Sequence, residues 1–82
     1  MDGEITMATY NGHKNWNHWN VSLWINNDEG LYRDIKWAID CTYTREQAAS
    51  LFVELREKRG EFCTPDGARY SKSAVRSAMV GM

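Results

Sequence analysis

Residues 15–31 read NWNHWNVSLWINNDEGL, and this stretch rich in tryptophan and asparagine decides the fold. Its apolar residues recur at spacings of three and four, which is the period of one face of an α-helix. We therefore predict a first helix over residues 15–26. Asparagine tolerates left-handed backbone dihedrals and competes for backbone hydrogen bonds, so the pair at 26–27 predicts the end of this helix. The apolar stripe runs through Trp16, Trp19 and Leu23, and the side chains expected in the core are Trp19, Val21 and Leu23.

Two further helices are predicted from their caps. Asn27 or Asp28 caps a second helix that continues to about residue 41, since short polar side chains satisfy the first backbone N–H groups of a helix. The run 44–47, Thr-Arg-Glu-Gln, has the residue types of a capping box and begins a third helix, which Gly60 ends. The predicted buried stripes are Leu31, Ile35, Ala38 and Ile39 in the second helix and Ala48, Leu51, Phe52 and Leu55 in the third.

A loop and a short last helix complete the chain. Residues 63–70 contain the sequence Thr-Pro-Asp-Gly at 64–67, in which proline fixes one dihedral and glycine frees another, as turns require. Ser71 or Ser73 then caps the last helix. The apolar face of this helix carries Val75, Ala78, Met79 and Met82.

Length and composition fit one folded domain. The chain has 82 residues, of which 43% are hydrophobic and 26% charged, the balance of a globular protein. We predict an all-α fold, a compact bundle of about four short helices, as a single helical domain over residues 1–82. Residues 1–13 are expected to be weakly ordered, with a short extended piece at 7–10.

The sequence contains no segment that predicts export or membrane insertion. A membrane span needs about 20 apolar residues, and a signal peptide needs an apolar region near the N-terminus; neither is found. Cys41 and Cys63 are too few to make a disulfide framework. We therefore expect a protein of the host-cell cytoplasm that has no membrane partner, with both cysteines as small buried or half-buried side chains.

The patterns of catalytic and metal sites are missing from the sequence. Nucleophilic catalysis needs a nucleophile, a base and an orienting group that converge. His13 and His18 are five positions apart, which does not bring two side chains onto one helical face, and structural zinc ligands usually come in pairs two to four residues apart. We predict a non-enzymatic protein with no catalytic residues, no metal site, no cofactor and no small-molecule substrate.

Charge and aromatic residues point to a binding surface in the first half of the chain. Residues 1–43 carry three cations against six acids, whereas residues 44–82 carry seven cations against five acids. Four tryptophans exceed what so small a core needs, and Trp16 or Trp37 is expected to lie off the buried stripes, Trp37 in particular. Exposed aromatic residues are typical of protein-binding hot spots. The candidate protein-binding residues are Trp16, Asp28, Glu29, Tyr32, Asp34 and Trp37.

Residues 19–32, WNVSLWINNDEGLY, resemble a segment with the pattern TW-x-V-x-LW-[IL]-x-NDEG-x-Y that occurs in small uncharacterised proteins encoded by phages and plasmids. His18 stands where that pattern has threonine. The resemblance implies a mobile-element origin and a host protein or nucleoprotein complex as the partner, with an anti-defence role such as anti-CRISPR inhibition. In this interpretation, acidic groups such as Asp28, Glu29 and Asp34 face basic residues that hold nucleic acid on the target.

Residues 57–60 and 64–76 are similar to the pattern N-x-RG-x-x-TP-x-G-x-x-WS-x-S-x-VR of the DNA-binding region of large serine recombinases, with Tyr70 in place of tryptophan. In that family the stretch is a helix-turn-helix unit, so the resemblance implies an alternative function, a small DNA-binding regulator. Basic and hydroxyl side chains at a helix start are suited to phosphate contacts. A helical hairpin used only for packing is the other interpretation. The candidate nucleic-acid-binding residues are Arg69, Lys72, Ser73 and Arg76.

Overall fold

The structure, a computed structural model, describes residues 15–82. The segment 1–13, predicted to be weakly ordered with an extended piece, lies outside the described residues. Within 15–82, β-type pairing is limited to one isolated antiparallel bridge between Cys63 and Arg69. The predicted all-α bundle of four helices is confirmed. The helices are α1 (Trp16–Asn27), α2 (Glu29–Asp40), α3 (Arg45–Lys58) and α4 (Lys72–Ala78).

A side-chain cap fixes the start of each helix. In each case the cap oxygen accepts a hydrogen bond from the backbone N–H three residues later, which satisfies a donor that has no partner inside the helix. In α3 the Gln47 side chain also accepts a hydrogen bond from the backbone N–H of Thr44, so the predicted capping box is confirmed. Beyond α3, Gly60 adopts a φ of 73°, a left-handed value that glycine takes without steric cost. The four caps are Asn15, Asp28, Thr44 and Ser71.

The four helices form a ring around the core. α1 packs against α2 and α4, and α3 packs against the same two helices. Phe52 lies at the centre, and its ring meets the ring of Tyr70 edge-on at 5.9 Å between centroids, a favoured geometry for an aromatic pair. The buried positions predicted for the second and last helices are largely confirmed, although α4 ends at Ala78, and Met79 and Met82 follow it. Buried are Leu31, Ile35, Ala38, Val75, Ala78 and Met79, while Ile39 and Met82 are half-buried.

The face of α1 that was predicted to be buried points outward. Asn20, Val21 and Ile25 are the buried residues of α1, whereas Leu23 is 39% exposed and Trp19 only half-buried. The prediction of Leu23 and Trp19 as core residues is therefore wrong. Apolar side chains occur all around α1, so hydrophobic periodicity alone did not distinguish its two faces.

The buried face of α3 also differs from the prediction. Ala48 and Phe52 are buried as expected, but Leu51 and Leu55 are half-buried. Arg56 is 4% exposed and lies on the buried side of α3. A buried guanidinium is tolerated only where it is paired and hydrogen-bonded, and an ion-pair network provides these partners for Arg56. The side chains of α3 that are buried instead are Ala49, Val53 and Arg56.

Arg56 joins α2, α3 and the loop that follows α3. Its Nη2 donates to Asp34 Oδ2 at 2.5 Å and its Nη1 to Glu61 Oε1 at 2.9 Å. Its guanidinium carbon lies 5.3 Å from the centre of the Phe52 ring, within cation–π range. The network thus holds the end of α3 against the middle of α2.

A cluster of polar side chains attaches α1 to the loop between α3 and α4; we call Asn20, Trp24, Thr64 and Asp66 the Asp66 cluster. Asp66 Oδ2 accepts hydrogen bonds from Asn20 Nδ2 and Trp24 Nε1, both at 2.9 Å. Thr64 Oγ1 donates to Asn20 Oδ1 at 2.6 Å and accepts from the backbone N–H of Ala68. These bonds satisfy a nearly fully buried asparagine amide, which would otherwise be costly to bury.

Two further contacts fix the beginning of α1 beside α4. The Asn17 side chain donates to the backbone oxygen of Arg69 and accepts from its N–H, both at 3.0 Å, so the amide pairs with the loop as a strand would. The hydroxyl of Ser73 lies 2.7 Å from Nε2 of His18. Asn17 and Asn20 of α1 therefore bind the loop, whereas Asn15 caps the start of the helix.

We predict that Asn20→Ala lowers the free energy of unfolding by about 2 kcal/mol, because the substitution leaves polar partners of a buried amide unsatisfied. Chemical denaturation followed by circular dichroism measures this change. Asn26→Ala is the matched control on the same helix, since Asn26 is exposed and bonds only within α1, to Ser22. An equal effect of the two substitutions would contradict the assigned role of Asn20.

We predict that Asp66 contributes to stability at neutral pH and loses its contribution in acid. Hydrogen bonds from Asn20 and Trp24 lower the pKa of Asp66 below its ordinary value of 3.8. A lowered carboxyl pKa means that the ionised group stabilises the fold above pH 3.8, and that this stabilisation is lost as the pH falls through the lowered value. The Tm difference between the wild type and Asp66→Ala should therefore shrink between neutral and strongly acidic pH. A difference that is constant with pH would exclude this account.

Candidate functional site

The outer face of α1 carries an apolar stripe without charge. Trp16, Trp19 and Leu23 are spaced i, i+3 and i+7, so they lie on one side of the helix. Trp16 is 40% and Leu23 39% exposed. Because α1 contains no Asp, Glu, Lys or Arg at all, no charged residue of α1 interrupts this stripe. We call these three residues the α1 outer face.

The two exposed aromatic residues of α2 do not form one patch. Tyr32 is 41% and Trp37 48% exposed, so the predicted exposure of Trp37 is confirmed. Five positions separate them, which places their side chains roughly 140° apart around the helix. Between them runs a strip of charged residues, and Lys36 Nζ lies 5.9 Å from the centre of the Tyr32 ring. The charged residues of the strip are Glu29, Arg33, Lys36 and Asp40.

The acidic residues predicted for the protein-binding surface differ in position. Glu29 is exposed. Asp28 accepts the hydrogen bond from the Leu31 N–H that caps α2, at 3.0 Å, and Asp34 pairs with the buried Arg56. Two of the three carboxylates thus make bonds within the fold. Of the six candidate residues, those exposed to solvent are Trp16, Glu29, Tyr32 and Trp37.

The candidate nucleic-acid-binding residues are brought together near the start of α4. Arg69, Lys72, Ser73 and Arg76 are all exposed, and the last three lie on the side of α4 opposite its buried face. The three basic residues make no salt bridge with another residue of the described range. A groove of about 510 Å³ runs between α3 and α4 beside them, lined by Glu46, Ala49, Ser50, Lys72, Ser73 and Arg76.

The cysteines do not take the positions expected of them. Both Cys41 and Cys63 are free and exposed, so the prediction of buried or half-buried side chains is wrong; the reason is that each follows a helix end, outside the ring. Among residues 15–82, no three histidine, cysteine or acidic side chains are grouped to hold a metal ion. None of the described helices has the length and apolar character needed to cross a bilayer.

A cleft that the sequence did not predict lies where α1, α2, the end of α3 and the following loop meet; we call it the arginine cleft. Its volume is about 510 Å³. Sequence patterns did not reveal it because its walls come from four separate segments. Three arginines and three acidic residues line it, together with the nearly buried Tyr70. The lining residues are Trp24, Asp28, Gly30, Leu31, Arg33, Asp34, Arg56, Arg59, Glu61, Cys63, Pro65 and Tyr70.

Tyr70 forms the floor of the arginine cleft and is 5% exposed. Burial raises the pKa of the Tyr70 hydroxyl, while the neighbouring positive charge of Arg56 opposes the rise. The hydroxyl is therefore neutral at physiological pH and is a hydrogen-bond donor.

Comparison with known proteins gives a family but no activity. A search of curated proteins and a search of solved structures found no match to the chain. The model of a family described as being of unknown function matches residues 6–82. Since this match covers nearly the whole sequence, the chain belongs to that family of unknown function, DUF7249.

Proposed function

We propose that the chain acts without catalysis, by binding a host protein through the α1 outer face and inhibiting or modulating it. An anti-defence role, such as inhibition of a CRISPR nucleoprotein in the host cytoplasm, is the form of this function that we favour. The observation that carries the proposal is an uncharged helical face on which Trp16 and Leu23 are exposed and Trp19 lies half-buried between them.

The spacing of the α1 outer face suits one mode of recognition. Helices that dock into apolar grooves use anchors at i, i+3 or i+4 and i+7, which is the spacing of Trp16, Trp19 and Leu23. Tryptophan is enriched among the residues that contribute most to binding energy. Asn26 and Asn27 at the end of the face are exposed and neutral, so desolvation on binding costs less there than for ions. The partner surface we propose is therefore an apolar groove of the host protein.

Two features support the inhibitory role: a sequence resemblance and an exposed acidic residue. Residues 19–32 resemble a segment of small phage and plasmid proteins, for which action on a host machine is common. Glu29 is exposed at the start of α2, and an acidic group on the contact surface would be complementary to basic residues that hold nucleic acid on a target.

A second candidate function is DNA binding by a small regulator, and the exposed basic residues near the start of α4 favour it. Arg69, Lys72 and Arg76 are free of salt bridges with described residues, so they are available to phosphates. The connection between α3 and α4 spans residues 59–71, however, whereas a helix-turn-helix turn has about three or four residues. For this reason we rank DNA binding below protein binding.

We predict that Trp16→Ala combined with Leu23→Ala weakens partner binding by about 30-fold or more, because truncation of hot-spot residues costs about 2 kcal/mol or more. Affinity purification from host lysate identifies the bound protein. Calorimetric titration of that purified protein then measures the affinity.

The matched control is Tyr43→Ala combined with Val80→Ala. These side chains are 98% and 85% exposed and lie outside α1, so their removal should leave the affinity unchanged. If the partner binds the α1 variant as tightly as the wild type, or the control variant loses binding equally, the α1 outer face is not the contact surface.

We predict that the second candidate function, if correct, gives a DNA mobility shift at about 50 mM salt that Lys72→Ala with Arg76→Ala abolishes. Lys36→Ala with Lys58→Ala removes the same charge elsewhere and should leave the shift intact. Absence of any shift by the unmodified protein would eliminate DNA binding.

A further inference from the structure

The arginine cleft contains more hydrogen-bond donors than its own acceptors engage. Each of its three carboxylates already accepts a hydrogen bond within the protein: Asp28 from the Leu31 N–H, and Asp34 and Glu61 from Arg56. These bonds neutralise the buried guanidinium and cap α2. They leave the remaining donors of the cleft without strong partners.

The outer two arginines are the first of these donors. Arg33 is exposed and makes no salt bridge with a residue in the range 15–82. Arg59 is 56% exposed and reaches only Asp34, at 3.4 Å, on a carboxylate oxygen already held by Arg56. Both guanidinium groups line the same cleft, so two positive forks are available at its mouth.

The floor adds two donors that are nearly buried. No hydrogen bond joins the Tyr70 hydroxyl to another described residue, although Tyr70 is 5% exposed and lines the cleft. The Nε of Arg56 is buried and also has no acceptor. A buried donor without an acceptor is rare in folded proteins, and Arg56 Nε is such a donor. The Tyr70 hydroxyl is available to donate to an acceptor bound in the cleft.

The shape of the cleft admits a small molecule. Its volume of about 510 Å³ falls in the range of ligand pockets, roughly 300–1,000 Å³. Gly30 lines one wall between two charged side chains: a Cβ built there would lie 3.9 Å from Nη2 of Arg33 and 3.4 Å from Oδ1 of Asp28, both ordinary contact distances. Trp24, Leu31 and Pro65 supply apolar surface for the rest of a ligand.

We propose that the arginine cleft binds the oxyanion of a small ligand, a carboxylate or a phosphate attached to a planar apolar group. Arg33 and Arg59 bind the oxyanion from the mouth, because the guanidinium fork matches the geometry of both groups. The Tyr70 hydroxyl donates to it from the floor. The site is separate from the α1 outer face and does not depend on the function proposed for that face.

Benzoate and phenyl phosphate are the probes, since they share a ring and differ in the oxyanion. Titration of the isotope-labelled full chain, followed by amide NMR, should give saturable shifts at Gly30 and Tyr70 in the millimolar range for at least one probe. Response to one probe alone identifies the oxyanion that the cleft prefers. Absence of saturable shifts at these positions with both probes would overturn the proposal.

Three variants locate the site. Arg33→Gln with Arg59→Gln should weaken binding by about tenfold or more, because two charge-assisted contacts are lost. Tyr70→Phe retains the aromatic floor and should weaken binding to a smaller extent. Arg76→Gln removes an exposed arginine outside the cleft and should have no effect. Circular dichroism checks that all three variants keep the helicity of the wild type. If the double variant binds the probe as tightly as the wild type, the shifts reflect non-specific anion binding and the proposal is overturned.

Discussion

The rotation of α1 about its own axis depends on the hydrogen bonds of the Asp66 cluster. Asn20 is 2% exposed, and an amide buried to this extent must be hydrogen-bonded to be tolerated. Thr64 and Asp66 provide the bonds only when Asn20 faces the loop. Since the helical period is fixed, this orientation also determines where every other side chain of α1 points. Trp16 and Leu23 are consequently turned to solvent.

This constraint explains why α1, which has many apolar residues, contacts the loop through the polar groups of Asn20 and Trp24. One side of α1 places Val21 and Ile25 in the core and Asn20 and Trp24 on the loop, and the opposite side carries the α1 outer face. A rotation that placed Trp19 and Leu23 inside would expose Val21 and Ile25, which are fully buried. It would also leave the polar groups of the loop without partners, which is costly. The apolar surface proposed for binding therefore follows from the contacts that α1 makes on its inner side.

Local features of the fold could be predicted from the sequence because their causes are local. The Thr44 capping box, the Asp28 cap and the turn at 64–67 each depend on residues within four positions of one another. Hydrophobic spacing identified the buried faces of α2 and α4, where polar and apolar residues alternate clearly. These patterns were sufficient for the number of helices and nearly all their bounds.

The remaining features depend on partners far away in the chain. Asn20 meets Asp66 across 46 residues, and Arg56 meets Asp34 across 22. A periodicity argument compares a residue only with its neighbours in sequence, so it does not detect either pairing. The arginine cleft was missed for the same reason, while the exposure of Trp37 was predicted because Trp37 lies off the local apolar stripe of α2.

The side-chain amide of Asn17, which pairs with Arg69 across 52 residues, has a consequence for synthesis on the ribosome. α2 and α3 contact each other through residues close in sequence, and such contacts form early. α1 is made first, but Asn17 and Asn20 have no partner until the loop at 64–70 has left the exit tunnel. During that interval α1 has α2 as a neighbour but lacks its contacts with the loop and with α4. A nascent chain stalled before this loop therefore exposes an uncharged, tryptophan-rich helix, and exposed apolar surface of this kind leads to aggregation or to chaperone binding.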